Sequence, residues 1–267
     1  MSCHTIGMGY TSYNYVADVE LEPRVPFLSL EFDALDVGET VAALVDRADR
    51  NLPLSYIVTP NVDHLVRLNA EPQLRPLYKN AEITVCDSRI LEILARLEGK
   101  HLPAAPGADI VENLICNHIS PDEKIVLIGG DVDVIEALAR DYGLTNIAWH
   151  EPPMGLRNNP EAVREAAEFI CQNNERFAFL CVGSPQQEMI AMEAKRLGYG
   201  KGIALCCGAS LDFLSGKATR APRWMCEARL EWLHRLASEP KRLWKRYLID
   251  GPRIFGIWWK SRNTTMA

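Results

Sequence analysis

The chain has 267 residues, 48% of them hydrophobic and 24% charged, which is the composition of an ordinary globular protein and excludes disordered, collagenous and coiled-coil classes. A chain of this size buries a large core without disulfide or metal staples. The net charge of −6 is unevenly spread: residues 220–267 carry 11 Lys and Arg against 4 Asp and Glu, a net +7, leaving 18 basic and 31 acidic residues, −13, in the remainder. An acidic body with a basic tail points to an anionic partner for the tail, such as a membrane surface or nucleic acid.

Residues 1–24 are polar and without clear period, and read as a loose N-terminal arm. From there short apolar or β-branched runs alternate with stretches of helical spacing. Strands are expected at 25–32, 55–59, 83–86, 124–128, 146–149, 177–182 and 202–206. Helices are expected at 38–49, 62–69, 88–98, 108–118, 132–142, 160–173, 185–197 and 223–239. This alternation implies an α/β fold, a mainly parallel sheet with helices on both faces. Such sheets bind ligands at the carboxyl ends of their strands. The eight cysteines include no C-x-x-C pair, so no zinc cluster is expected, and they read as small buried hydrophobes of a reducing cytosol. No basic patch followed by an apolar stretch opens the chain, and no apolar run approaches the ~18 residues of a spanning helix. A soluble or peripheral protein is expected.

The residues just after each strand carry the chemistry. The first such end reads TPNVDH, with Thr59, Asn61, Asp63 and His64 together; Asn61 also fits a helix N-cap. The 83–86 strand ends in Asp87-Ser88-Arg89. Asp87 suits either an N-cap or a base held rigidly at the cleft. Gly129 and Gly130 follow the next strand, where glycines let a phosphate approach the backbone and the helix start supplies N–H donors; a plain tight turn fits equally. They form neither a dinucleotide fingerprint nor a P-loop. The 177–182 strand ends in GSPQQE, with Gly183, Ser184, Gln187 and Glu188. After the last strand, Asp212 is a partner for a base, a sugar hydroxyl or Arg220. In the tail, Leu230, Leu233, Leu236, Leu243 and Trp244 alternate with Arg229, Arg235, Lys241, Arg242, Lys245 and Arg246, and Ile254, Phe255, Ile257, Trp258 and Trp259 follow. Aromatics beside basic residues mark interfacial membrane segments; packing on the body or on another subunit is the alternative. No recognised module accompanies the charge, so nucleic acid is not expected.

The order of these motifs resembles the WecG/TagA/CpsF glycosyltransferases, glycosyltransferase family 26. TPN at 59–61, Asp87, PGAD at 106–109, IGG at 128–130, GSPQQE at 183–188, LDFLSGKATRAP at 211–222 and LEWLHRLASEPKRLWKRY at 230–247 carry the resemblance. It implies a Rossmann-like catalytic domain over 25–219 and a helical appendage over 220–267 that contacts the membrane and closes over the cleft. It also implies an inverting enzyme, without metal or other cofactor, that moves a sugar from a UDP-sugar to a polyprenyl-diphosphate-linked saccharide. The work would be done at the inner face of the cytoplasmic membrane, in exopolysaccharide, capsule or teichoic acid synthesis. By resemblance Asp87 is the base, with Thr59 and Asn61 beside it. Gly129, Gly130, Gly183, Ser184, Gln187, Glu188 and Asp212 are assigned to the nucleotide sugar, and Arg220, Arg235, Arg242 and Arg246 to the diphosphate. Two departures stand out: Asp87-Ser88-Arg89-Ile90 replaces Asp-Gly-x-Gly, and Ala104 replaces an Arg. Arg89 is the candidate to take over that cation's work on diphosphate or a carboxylated sugar. The CDSR form looks like the exopolysaccharide branch. Asp131-Val132-Asp133 matches D-x-D but falls on an expected helix start. A catalytically degenerate, UDP-binding scaffold of a polysaccharide synthase is the competing reading, and homo-oligomerisation is left open.

Overall fold

The structure, a computed structural model, describes residues 24–219, 222, 225 and 231–265. Residues 1–23 of the expected arm, Arg220 and most of 223–230 lie outside the described residues. The first expected strand is a hairpin. Strands β1 (Val25–Phe27) and β2 (Leu30–Phe32) pair antiparallel, Val25 opposite Phe32. Leu28, with φ of 55°, reverses the chain between them; the unbroken apolar run 25–28 hides this turn.

Six strands then form one parallel sheet: β3 (Ser55–Val58), β4 (Ile83–Thr84), β5 (Ile125–Gly129), β6 (Ile147–His150), β7 (Phe177–Cys181) and β8 (Ile203–Cys206). Their order is β4-β3-β8-β7-β5-β6, and every neighbouring pair is parallel. The strands read as apolar runs because such a sheet is covered on both faces. Alternation along each strand sends Tyr56, Val58, Val126, Ile128, Leu180 and Ala204 into one hydrophobic cluster. It sends Ile57, Ile125, Leu127, Phe177, Phe179 and Ile203 into the other.

The first cluster is roofed by α2 (Val62–Ala70), α3 (Pro76–Lys79), α4 (Arg89–Arg96), α7 (Pro160–Asn173) and α8 (Gln186–Leu197). The second is roofed by α1 (Val37–Asp49), α5 (Gly107–Asn117), α6 (Val132–Tyr142) and α9 (Ser210–Leu214). The caps follow the sequence: Asp36, Asn61, Ser88, Asp131 and Asn159 each accept a backbone N–H of the first turn they open. At the β4 edge, Asp33 takes the place of another strand. Its N–H donates to the Thr84 carbonyl at 2.8 Å, and its carboxylate accepts from Thr84 N at 2.7 Å and from Arg24 Nε at 3.1 Å.

The C-terminal region contributes α10 (Glu231–Ser238), α11 (Pro240–Trp244), a π-helical turn over Lys245–Asp250 and α12 (Arg253–Thr265). The appendage is helical, as expected, and its helices continue past the expected boundary at 239. Pro240 occupies the first position of α11, where its missing N–H costs nothing. Helix α12 lies against α2. Ile254, 1% exposed, is part of the core, and Ile257 and Trp258 pack on it, whereas Phe255 and Trp259 are 53% and 61% exposed. The apolar set read as one interfacial segment is therefore divided between the core and the surface.

Truncating Ile254 should accordingly cost far more than truncating its neighbour. Ile254→Ala should destabilise the protein by about 2–5 kcal/mol, with Phe255→Ala within about 0.5 kcal/mol of wild type. Urea melts of the two variants check this; equal midpoints would show that α12 is not docked on α2.

Candidate active site at the carboxyl edge of the sheet

Parallel strands end together, and the helices that follow them begin there. At this edge the sheet has a switch point: β5 leads outward to β6, while its neighbour β7 leads the other way to β8. The crevice such a reversal opens is where ligands enter open α/β sheets. Gly129 and Gly130 turn the chain there with φ of 84° and 73°. A Cβ on Gly129 would lie 2.7 Å from the Val182 side chain and 3.2 Å from the Cys181 backbone, so only glycine lets the β5 and β7 ends approach this closely.

Asp87 follows the edge strand β4, three strands along from β7. The β3–β4 ladder continues past its regular part: Val85 N–H donates to the Val58 carbonyl and Asp87 N–H to the Pro60 carbonyl, both at 3.1 Å. On its other side Ala105 N–H donates to the Cys86 carbonyl at 2.8 Å, and Ala104 bridges Cys86 in parallel register. The Asp87 backbone is thus clamped between the TPN loop and the segment leading into α5. Asn61 caps α2 and Ser88 caps α4, so Asp87 is not itself the cap. At the start of α5 a Cβ on Gly107 would lie 3.1 Å from Thr59 Oγ1 and 3.7 Å from Ser210 Oγ. The small residue brings the α5 N-terminus against Thr59 and the β8 end. Three helix starts with their N–H donors therefore surround the Asp87 loop.

A polar network links this edge to the appendage. Asp63, in the first turn of α2, accepts from Arg67 Nη2 at 2.6 Å and has Arg246 Nε at 3.7 Å. Burial works against the charged Asp63 carboxylate, but Arg246 and Arg67 outweigh it and hold it below the usual carboxylate range. Arg67 Nη1 also donates to Ser184 Oγ at 3.2 Å, and the Tyr78 hydroxyl lies 3.0 Å from the same oxygen. The His64 imidazole completes a capping box by accepting from Asn61 N at 3.1 Å. Burial, with Arg67 close by, pushes it down to about 3, which leaves it neutral.

The sequence-assigned residues fall in different settings. Thr59, Asn61 and Asp87 share one corner. Gly129, Gly130, Gly183 and Ser184 line the crevice mouth at the β5 and β7 ends. Gln187 and Glu188 lie beneath it, buried: Gln187 Oε1 accepts from Gly208 N at 2.9 Å and its Nε2 donates to Glu188 Oε1 at 3.0 Å. Burial raises the Glu188 carboxyl. These two tie α8 to the loop that opens α9. Asp212 lies in the first turn of α9, and its carbonyl accepts from Ala218 N at 2.8 Å. Arg89 is exposed and pairs with Glu92 at 3.2 Å. Arg235 stacks over Phe213 at 5.2 Å, beside Asp212. Arg220 and the Arg242 side chain lie outside the described residues. Of the D-x-D pair, Asp131 caps α6 and is salt-bridged to Lys217 from across the crevice. Among the described residues no group of three or more His, Cys, Asp or Glu is arranged to hold a metal. Arg67, Tyr78 and Lys217 were missed: two lie within helices and Lys217 in a loop, and no strand-end pattern marks them.

The neutral His64 has a measurable consequence. Its folded pKa lies below the unfolded 6.5, so the unfolded state binds the extra proton. Its contribution to stability is full above pH 6.5 and is lost as pH falls from there toward 3. Gln at this position still fits a capping box without titrating. Between pH 6.5 and 4.5, His64→Gln should flatten the fall in unfolding free energy relative to wild type, by up to about 1.4 kcal/mol per pH unit. Parallel slopes in denaturant titrations would show that the imidazole is solvated.

The crevice at the switch point, the clamped Asp87 backbone, the converging helix starts and a cationic appendage reaching Asp63 lie along one edge suited to an anionic donor and a hydroxyl acceptor. The family model for the glycosyl transferase WecG/TagA/CpsF family matches residues 25–267, nearly the whole chain and every element described above. The protein belongs to this family and is a glycosyltransferase of cell-surface polysaccharide biosynthesis, a family that uses nucleotide-sugar donors and lipid-linked acceptors.

Proposed function

We propose that the enzyme transfers a sugar from a UDP-sugar to a polyprenyl-diphosphate-linked saccharide, with inversion and without a metal ion, on the inner face of the cytoplasmic membrane. The clamped Asp87 backbone carries this reading: a carboxylate fixed beside Asn61 and the α5 start can meet an acceptor hydroxyl reproducibly. Asp87 takes the hydroxyl proton as that oxygen attacks the anomeric carbon. The bond from that carbon to the diphosphate breaks on the opposite side, and UDP leaves with the electron pair. Charge on the leaving diphosphate is met by N–H groups at Gly129–Gly130 and by guanidinium groups. Arg246 and Arg235 stand at the rim, and Arg67 reaches Ser184. Lys217 already neutralises Asp131, which supports arginine and helix-start chemistry over a metal-bridged diphosphate.

The appendage supports membrane docking. Trp244, Leu248, Ile249, Phe255 and Trp259 are exposed on it, beside exposed Lys241, Lys245, Arg253 and Lys260. No helix among the described residues is long and apolar enough to cross a membrane. Exposed rings settle at the headgroup boundary while each basic residue near an anionic surface adds about 1 kcal/mol, weakening with salt. The exopolysaccharide branch, with glucose as donor sugar, remains the finer assignment favoured by the Asp87-Ser88-Arg89 sequence.

A panel of UDP-sugars with a synthetic lipid-diphosphate saccharide tests the chemistry. Asp87→Asn should lower turnover roughly 10²-fold or more with UDP affinity nearly unchanged, and wild-type turnover should survive EDTA. Activity of Asp87→Asn within about twofold of wild type would place the base elsewhere. Loss in EDTA with rescue by manganese would make Asp131 and Asp133 ligands, and UDP binding with no transfer across the panel would favour a scaffold. Docking is read separately by co-sedimentation with anionic liposomes at low and high salt. Wild type should pellet at low salt, and the Phe255→Ser, Trp259→Ser double variant should pellet less while binding UDP normally. A wild-type protein that stays in the supernatant would leave the exposed rings to a subunit contact.

A further inference from the structure

Glu151, which none of the assigned functions uses, stands at the end of β6. The unit β5–α6–β6 begins on the strand at the switch point and carries the Gly129–Gly130 turn. Register pairs Ile128 with His150, so the next step along both chains sets Glu151 beside Gly129, one inter-strand spacing of about 4.8 Å away. In nucleotide-binding folds of this topology, an acid about 20 residues after the glycine turn, at the end of the second strand, accepts hydrogen bonds from ribose hydroxyls while the phosphates lie at the helix start. Glu151 falls at that distance from Gly130 and at that place.

Its neighbours hold the backbone at this position. Trp149 Nε1 donates to the Gly129 carbonyl at 3.0 Å, fixing the β6 end against the glycine turn. His150 stacks on Phe169 with ring centres 5.2 Å apart. Pro152 follows, which restricts Glu151 to extended backbone. Asp131, at the neighbouring helix start, is engaged by the α6 cap and by Lys217. Glu151 is exposed and has no hydrogen-bond or ion-pair partner among the described residues.

We propose that Glu151 recognises the nucleoside of the donor, its carboxylate accepting from the 2′- and 3′-hydroxyls of the ribose. The inference rests on the reading of the donor as a uridine nucleotide, and it makes this residue the one that demands a ribonucleotide. A hydrogen bond to a charged group is worth about tenfold or more in affinity. Isothermal titration of the full chain with UDP and with 2′-deoxy-UDP tests it. Wild type should prefer UDP about tenfold or more. Glu151→Ala should bind UDP at least about tenfold more weakly and discriminate between the two by less than about twofold, with an unchanged melting temperature because the side chain supports nothing else. Glu151→Asp should recover part of the preference. A Glu151→Ala protein that keeps both the affinity and the preference overturns the inference alone and leaves the donor reading intact. A wild-type protein that binds neither nucleotide overturns the donor reading and the inference with it.

Discussion

The hydrogen bond from Asp87 N–H to the Pro60 carbonyl, 3.1 Å long, governs the reactive edge. It prolongs the ladder between β3 and β4 beyond the point where regular strand geometry stops. Without it, the Asp87 loop and the TPN loop would be two independent excursions. With it, Thr59, Asn61 and Asp87 become one rigid corner. The bond from Ala105 to Cys86 closes the other side and delivers the α5 start to the same place. Strand ends alone would leave these residues to loop motion; here backbone hydrogen bonds continue into the loops, and the proposed role of Asp87 as base would draw on that placement.

The second organising contact is the sharing of one Asp63 oxygen by Arg67 and Arg246. One carboxylate between two guanidinium groups leaves an excess of positive charge at the crevice mouth. Arg246 belongs to the appendage and Arg67 to α2, so this excess exists only when the appendage is docked. Ser184 and Tyr78 extend the network toward β7, and Gln187 with Glu188 fixes the loop below it. The GSPQQE motif accordingly serves two purposes. Its glycine and serine edge the crevice, and its buried glutamine and glutamate hold neighbouring loops in place.

The sheet was legible because each parallel strand must be apolar on both faces, which leaves an unmistakable run such as FAFLC at 177–181 or IVLIG at 125–129. The Asn61 cap was legible too, by residue type; at the next strand end the cap is Ser88 and not Asp87. The hairpin at 25–32 was not, since its turn is made by Leu28 in a left-handed conformation that composition does not mark. The helical appendage was legible, but its division at Pro240 was not, since a proline starts a helix as readily as it ends one. Of the site, the strand-end residues could be located because topology assigns them an edge. Arg67, Tyr78 and Lys217 could not, since their roles come from contacts between elements far apart in sequence: Lys217 meets Asp131, and Tyr78 meets Ser184. The divided fate of Ile254 and Phe255 likewise depends on which side of α12 meets α2, a choice made only when the helices pack.

Helix α12 is 13 residues long, about 20 Å, and it is seated on the helix whose first turn carries Asn61 and Asp63. A surface gripping the exposed side of α12 would therefore hold the whole reactive edge as a rigid body. Height and tilt above that surface would be set by helix packing and not by the slack of a linker. An acceptor anchored in the same surface would then be presented at a fixed elevation, so that the length of its saccharide, and not only its chemistry, decides which hydroxyl comes level with Asp87.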